Sequence, residues 1–212
     1  MSLKIVVDQL KSEISKGLPG ESAHAAMSPI DRKKINWDTT DAIRESAVAI
    51  VLFEKNDLPH CLLIQRTEYE GKHSGQMSFP GGKRDPEDID LEETARRECY
   101  EEIGIPVEKG KLLGELTSVF IPVSSFIVRP FLFFHDEIVE LVPNEREVAE
   151  IVSFKLFDLT EENVISTMEI PLTNGTYLKE VPYFDLEGKK VWGATALILN
   201  EMRELLLRFY QK

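Results

Sequence analysis

The chain has 212 residues, 37 of them acidic and 25 basic, for a formal charge of −12. Its 42% hydrophobic and 29% charged residues are those of a globular protein long enough to enclose a substantial core. The acidic excess argues against general binding to nucleic acid or to an anionic membrane, so an anionic substrate has to be met by a metal and a local basic cluster.

Taken in order, Leu3, Val6, Val7, Leu10 and Ile14 recur at helical spacing and predict a short amphipathic helix over 3–16, stopped by Gly17 and the Pro19-Gly20 turn. No N-terminal hydrophobic run with a cleavage site and no segment of membrane-spanning length is visible. The only cysteines, Cys61 and Cys99, fall on a predicted strand and a predicted helix and read as buried thiols, so a cytoplasmic location is expected. Residues 21–45 read as irregular. They carry the basic run Arg32-Lys33-Lys34, a solvated loop or a contact for substrate phosphate. The expected organisation is a helix and irregular segment over 1–45 packed on one domain over 46–212.

The apolar run Ala47–Phe53 predicts a buried strand, and Asn56-Asp57 turns it into a second strand over Cys61–Arg66. A polar loop, 67–78, leads into Phe79-Pro80-Gly81-Gly82, read as a tight turn, and then into the acidic stretch 85–90. A helix closing at Gly104 follows. Residues 111–120 and Phe126–Phe134 are strand-like, the latter central, with Pro130 implying an irregularity or an edge. A further strand is expected over Ile151–Leu156, a short helix over 158–170, and a hairpin over Gly175–Val191 turning at Leu186-Glu187-Gly188-Lys189. From Trp192 onward, Ala194, Leu197, Ile198, Met202, Leu205, Leu206 and Phe209 give a packed C-terminal helix. Strands mixed with helices on either side make an α/β/α sandwich around a mixed β-sheet the expected fold.

The helix before Gly104 carries the chemistry. Asp90 is placed to cap it and Glu93, three residues on, to reach back. Leu91, Ala95, Cys99 and Ile103 form one apolar stripe, and Glu98, Glu101 and Glu102 fall within an arc of roughly 100° beside it. In purely structural terms this is unfavourable. Glu98 faces like charges at i+3 and i+4, each costing about 0.2–0.5 kcal/mol, near a helix end whose dipole disfavours anions. A solvated acidic face is one reading. A hard divalent cation, which would turn the repulsion into attraction, is the other.

The stretch resembles the Nudix box, G-x5-E-x7-R-E-U-x-E-E-x-G-U, where U is a bulky apolar residue. Arg97-Glu98 through Gly104-Ile105 matches its second half, with Cys99 at the first U. The first half departs from it: one extra residue separates Gly82 from Arg97, and Asp88 or Asp90 has to supply the missing carboxylate. Upstream, Leu62-Leu63, Gly75 and Phe79-Pro80-Gly81-Gly82 are similar to a motif of Nudix hydrolases of the coenzyme A pyrophosphatase type. Gly71 stands where that motif has Arg, and Lys72 or Arg66 is available to replace the charge.

The resemblance implies a hydrolase that cuts the pyrophosphate of coenzyme A or its thioesters, giving 3′,5′-ADP and 4′-phosphopantetheine. Mg²⁺ or Mn²⁺ would be held by Glu98, Glu101 and Glu102 with a backbone carbonyl at Gly82 or its neighbour. Arg97 would orient through its acidic partner. The base stays open between Glu147 (with Glu150 in reserve), Glu101 and water on the ion. Gly81 and Gly82 would let the backbone approach the phosphates, and Arg66, Lys72, His73 and Arg84 are candidates for the extra phosphate. His73 reads equally as an ordinary surface histidine. Alternatives are a Nudix enzyme acting on ADP-ribose or another nucleotide, and a catalytically silent Nudix-fold domain that binds a nucleotide. Whether the chain forms a homodimer is left open.

Overall fold

The computed structural model describes residues 1–29, 42–68, 73–106, 109–136, 140–172 and 175–210. Helix α1 (Leu3–Ser15) forms where the spacing predicts it and buries Leu3, Val6, Val7 and Leu10. Part of the chain read as irregular is in fact a helix, α2 (Glu21–Ala26). Six residues are too few to show a period in the sequence. Packing holds it, and the Asn200 side chain donates to the Ala23 carbonyl at 2.8 Å. The Arg32-Lys33-Lys34 run lies outside the described residues.

Strand β1 (Arg44–Lys55) turns through Asn56-Asp57 into β2 (Leu58–Arg66), its antiparallel partner. Both turn residues have positive φ, 52° and 61°, as a two-residue hairpin of matching twist requires. β3 (Met77–Ser78) pairs with the end of β2. The expected tight turn at Phe79–Gly82 is instead the entry to a strand, β4 (Gly81–Lys83), lying antiparallel on β1 with Gly81 opposite Val48 and Gly82 opposite Ala47. Helix α3 (Leu91–Ile103) crosses beneath. Then come β5 (Lys111–Glu115), β6 (Val119–Ile121) and β7 (Phe126–His135).

β7 runs parallel to β1 and antiparallel to both β5 and β6, so it is interior. Pro130 is tolerated because the irregularity falls on its partner. The chain breaks between β5 and β6, and there the Leu116 N–H donates to the Pro130 carbonyl at 2.9 Å. Proline's missing N–H therefore faces a gap in pairing rather than a ladder.

β8 (Val148–Lys155) pairs with β2 and completes an eight-stranded mixed sheet. The short helix expected over 158–170 is replaced by a 3₁₀ turn at Leu156–Thr160 and then β9 (Ile165–Pro171). With β10 (Tyr177–Leu186) and β11 (Lys189–Val191), β9 forms a separate three-stranded sheet. Helix α4 (Ala194–Leu207) closes the fold, and no helix among the described residues is long and apolar enough to cross a membrane.

The large sheet divides the core. On one face α1 and α4 pack Leu10, Leu197, Met202 and Leu206 against Ile50, Leu52, Leu63 and Leu132. On the other, α3 lays Leu91, Ala95, Cys99 and Ile103 on Ala49, Val51, Leu62, Ile64 and Phe133. Truncating any one of these fully buried leucines to alanine removes about 2–5 kcal/mol. The α/β/α sandwich on a mixed sheet is the fold expected from the sequence.

Candidate active site

The α3 carboxylates are placed by the helix's own ends. Asp90 Oδ1 accepts from the Glu93 N–H at 2.9 Å, and Gly104 closes the helix in the left-handed region at φ 77°. Glu93 reaches back to the Ile89 N–H at 2.5 Å. With both ends fixed and the apolar stripe buried, the rotation of α3 is set, and its acidic arc faces β4.

The three carboxylates do not share one environment. Glu102 is 1% exposed. Its Oε2 accepts the Gly81 N–H at 2.8 Å, and its Oε1 lies 3.8 Å from Arg66 Nη1, an ion pair without a hydrogen bond. Burial pushes its pKa up to about 8, the charges of Glu98 and Glu147 push the same way, and Gly81 and Arg66 offset only part of this. Glu98 is half-buried. Burial raises its pKa as well, opposed by Arg97 and reinforced by Glu101 and Glu147. Glu101 is exposed and meets Arg97 at 3.1 Å.

Arg97 gathers this end of the site. Its Nε and Nη2 grip Asp88 at 2.9 and 3.0 Å, its Nη1 donates to Glu98 at 2.9 Å, and Nη2 also reaches the Lys83 carbonyl at 3.3 Å. Asp88 is buried and further accepts from the Asp85 N–H and the Thr94 hydroxyl. The bond from Arg97 holds its carboxyl well below the usual range, and Asp88 in turn holds Arg97 charged. Of the two aspartates open in the sequence, Asp88 is the partner, because Asp90 is committed to the cap.

Gly81 is required by close approach to backbone, and Gly82 leaves room for the Glu98 carboxylate. A Cβ on Gly82 would stand 2.4 Å from the Glu98 carboxylate, and one on Gly81 would stand 2.3 Å from the Ala47 carbonyl oxygen. The backbone of β4 thus lies directly against the acidic pair, which a side chain would keep apart.

Glu147 is brought to the same place by α3's C-terminus. The Val142 and Asn144 N–H groups take the Ile103 and Glu102 carbonyls at 3.0 and 2.9 Å, and the Asn144 carbonyl accepts from Glu147 and Val148. Helix carbonyls left without intrahelical partners are thereby used to anchor the loop. The Thr67 N–H donates to the Glu147 carbonyl at 3.0 Å, and the exposed Glu147 side chain contributes to the raised pKa of both Glu98 and Glu102. Glu150, the reserve, is bound to Lys189 at 2.7 Å.

The phosphate candidates separate. Arg66 lies beside Glu102. Arg84 is turned to structural use, with Glu45 at 3.1 Å and the Asp88 and Ile89 carbonyls at 3.3 and 3.2 Å. His73, at φ 69°, meets the Gln76 side chain at 3.1 Å in its own turn. Lys72 lies outside the described residues. Sequence reasoning missed Asn144 and Ser78. Asn144 acts through its backbone, which no side-chain pattern reports, and Ser78 is the residue between Met77 and the Phe79-Pro80-Gly81-Gly82 stretch.

No three His, Cys, Asp or Glu side chains among the described residues form a ready metal cluster. The donor set still suits a hard ion. Two carboxylates brought together against glycine backbone suit Mg²⁺, which takes carboxylate oxygens and keeps several of its own waters. Burying Glu102 with so little compensation has no structural return, whereas a cation at that point would remove the penalty.

Comparison with known proteins finds similarity along most of the chain. The NUDIX domain family model matches residues 43–172. The chain is 32% identical over 146 residues to an uncharacterized Nudix hydrolase NudL of Yersinia enterocolitica, covering 69% of this chain and 73% of that one. It is 29% identical over 161 residues to a protein of the same name from Yersinia pestis, covering 76% and 79%. Among solved structures, the Nudix hydrolase RenU of M. smegmatis superposes with a TM-score of 0.55 at 17% identity, over 80% of this chain and 89% of that one. A MutT/nudix family protein from Enterococcus faecalis gives 0.55 at 16%, over 89% and 74%.

Proposed function

The chain belongs to the Nudix hydrolase family, and from that premise we propose that it hydrolyses the pyrophosphate linkage of a nucleoside diphosphate derivative, with coenzyme A or its thioesters as preferred substrates. The observation that carries the reaction type is the buried, under-compensated Glu102 beside Glu98 and the glycine strand. What supports the substrate is the similarity of Leu62-Leu63, Gly75 and Phe79-Pro80-Gly81-Gly82 to the coenzyme A pyrophosphatase motif.

A diphosphate is kinetically inert because its oxygens repel an incoming nucleophile. Glu98 and Glu102 would hold Mg²⁺ or Mn²⁺, with a carbonyl at Gly82 or its neighbour. Glu101 plays a smaller part from its place on Arg97. The ion, when bound, supplies charge neutralisation for the linked phosphates and acidifies water. Arg97, clamped by Asp88, fixes the Glu98 carboxylate where Gly82 meets it. The Gly81 N–H and Arg66 contacts of Glu102 favour its ionised form, the one that would hold a cation. Glu147 stands on the anchored loop as the base that takes the proton from the attacking water. The water oxygen bonds to one phosphorus as the bridging P–O bond to it breaks, and the bridging oxygen departs with the other phosphoryl group, giving two phosphomonoesters.

The test is to incubate the protein with Mg²⁺ and, separately, coenzyme A, ADP-ribose and an oxidised nucleotide, and to identify products by mass spectrometry. 3′,5′-ADP and 4′-phosphopantetheine are expected from coenzyme A. Much faster turnover of ADP-ribose would overturn the substrate, and no turnover of any compound would overturn the reaction.

A further inference from the structure

Among the described residues, two buried polar atoms near the carboxylate site have no hydrogen-bond partner: Nε of Arg66 and Oγ of Ser78. A buried donor left unpaired costs about 1–3 kcal/mol, so each calls for an explanation. They are not scattered. Ser78 on β3 stands opposite Ile64 on β2, and the Arg66 N–H bonds the Gln76 carbonyl at 3.0 Å, two residues further along each strand.

Alternation along the strands puts both side chains on one face of the sheet. Met77 and Phe79 go to the core under α4, so Ser78 between them faces α3. Leu62 and Ile64 belong to the α3 core, and Arg66 continues their row, with Nη1 3.8 Å from Glu102. The Arg66 side chain is 28% exposed, so it stands at the border between this face and solvent. Among the described residues its one ion pair, to Glu102, is too long for a hydrogen bond.

We propose that Ser78 and Arg66 form a donor pair that receives a non-bridging phosphoryl oxygen of the substrate and seats it beside Glu102. The assignment rests on the pyrophosphatase reading above for its ligand, and on the two unpaired donors for its place. A hydroxyl and a guanidinium are both donors, one fixed on a two-residue strand and one charged, which suits an anionic oxygen. The packing penalty each carries in the free protein is relieved when that oxygen arrives. Without a ligand, nothing in the fold is gained by keeping a hydroxyl rather than a methyl group at 78.

The probe is imidodiphosphate, whose P–N–P link resists hydrolysis, titrated calorimetrically in Mg²⁺ into wild type, Ser78→Ala, Ser78→Thr and Arg66→Gln. Expected are about tenfold weaker binding for Ser78→Ala, a larger loss for Arg66→Gln, and near-wild-type binding for Ser78→Thr. The melting temperature of Ser78→Ala should equal or exceed that of wild type, since an unpaired hydroxyl is removed. A purely structural serine would lower it. Wild-type affinity in Ser78→Ala, or a drop in its melting temperature, overturns the proposal. If the variants lose imidodiphosphate while wild type hydrolyses no nucleotide, the donor pair stands and the enzymatic reading falls. If wild type hydrolyses nucleotides and the variants bind normally, the reverse holds.

Discussion

Two glutamates lie almost completely buried on opposite faces of the same sheet, and they have opposite fates. Glu201 on α4 is 0% exposed and Glu102 on α3 is 1% exposed. Glu201 accepts from the Gly20 N–H at 3.0 Å, the Thr117 N–H at 3.0 Å and the Thr117 hydroxyl at 2.7 Å, and it meets His24 Nε2 at 3.3 Å. Burial alone would raise its pKa, but these donors outweigh it and hold it below the ordinary value. Glu102 has one backbone donor and a distant guanidinium, and its pKa rises to about 8. Burial therefore does not mark function. The number of donors does: a carboxylate that is fully answered is an anchor, here tying α2 and the β5–β6 connection to α4, and one left unanswered waits for a ligand.

The contrast is broken or sharpened by substitutions at each site. Glu102→Gln keeps the shape and the Gly81 bond but cannot hold a cation as a carboxylate does. Turnover should fall on the order of 10³-fold, with the melting temperature held or raised. Glu201→Ala should do the opposite, costing about 3–5 kcal/mol of stability, because four donors lose their acceptor. Its pH dependence has a definite sign. Because the folded pKa is lowered, Glu201 stabilises fully above the unfolded value near 4.5, and that stability is lost as pH falls through the folded pKa. The gap in melting temperature between wild type and Glu201→Ala should accordingly narrow below about pH 4.

Smaller effects follow. Asp88→Asn weakens the clamp on Arg97 and hence the setting of Glu98, and kcat should fall about 10–100-fold, as for outer-layer partners of metal ligands. Glu101→Gln, which removes only an exposed partner of Arg97, should change turnover by less than about tenfold, within the range of exposed ion pairs. An effect of Glu101→Gln as large as that of Glu102→Gln would restore the three-carboxylate site expected from the sequence.

Much of this was legible beforehand, where local chemistry decides structure. Asp90, Glu93 and Gly104 announce the ends of α3, and its apolar stripe announces the buried face. The resemblance already sets Glu98 and Glu102 as the firmer pair of the three carboxylates, but the burial that separates them from Glu101 depends on β4 lying against them. The Gly81-Gly82 pair reads as a turn in isolation, yet its glycines serve close approach to β1 and Glu98. The stretch expected to be a short helix over 158–170 is largely a strand, because pairing with β10 decides it. Arg84 is a phosphate candidate by residue type, and only the position of Glu45 across the β1–β4 pair reveals the ion pair it makes. The unpaired state of Ser78 and Arg66 has no trace in residue type at all.

The central claim is that Glu98 and Glu102 exist to grip a divalent ion. Electron paramagnetic titration of Mn²⁺ into wild type, Glu102→Gln and Glu101→Gln tests it most directly. The account predicts a bound ion in wild type, nearly the same affinity in Glu101→Gln, and binding largely lost in Glu102→Gln. Undiminished Mn²⁺ binding in a folded Glu102→Gln protein would contradict it.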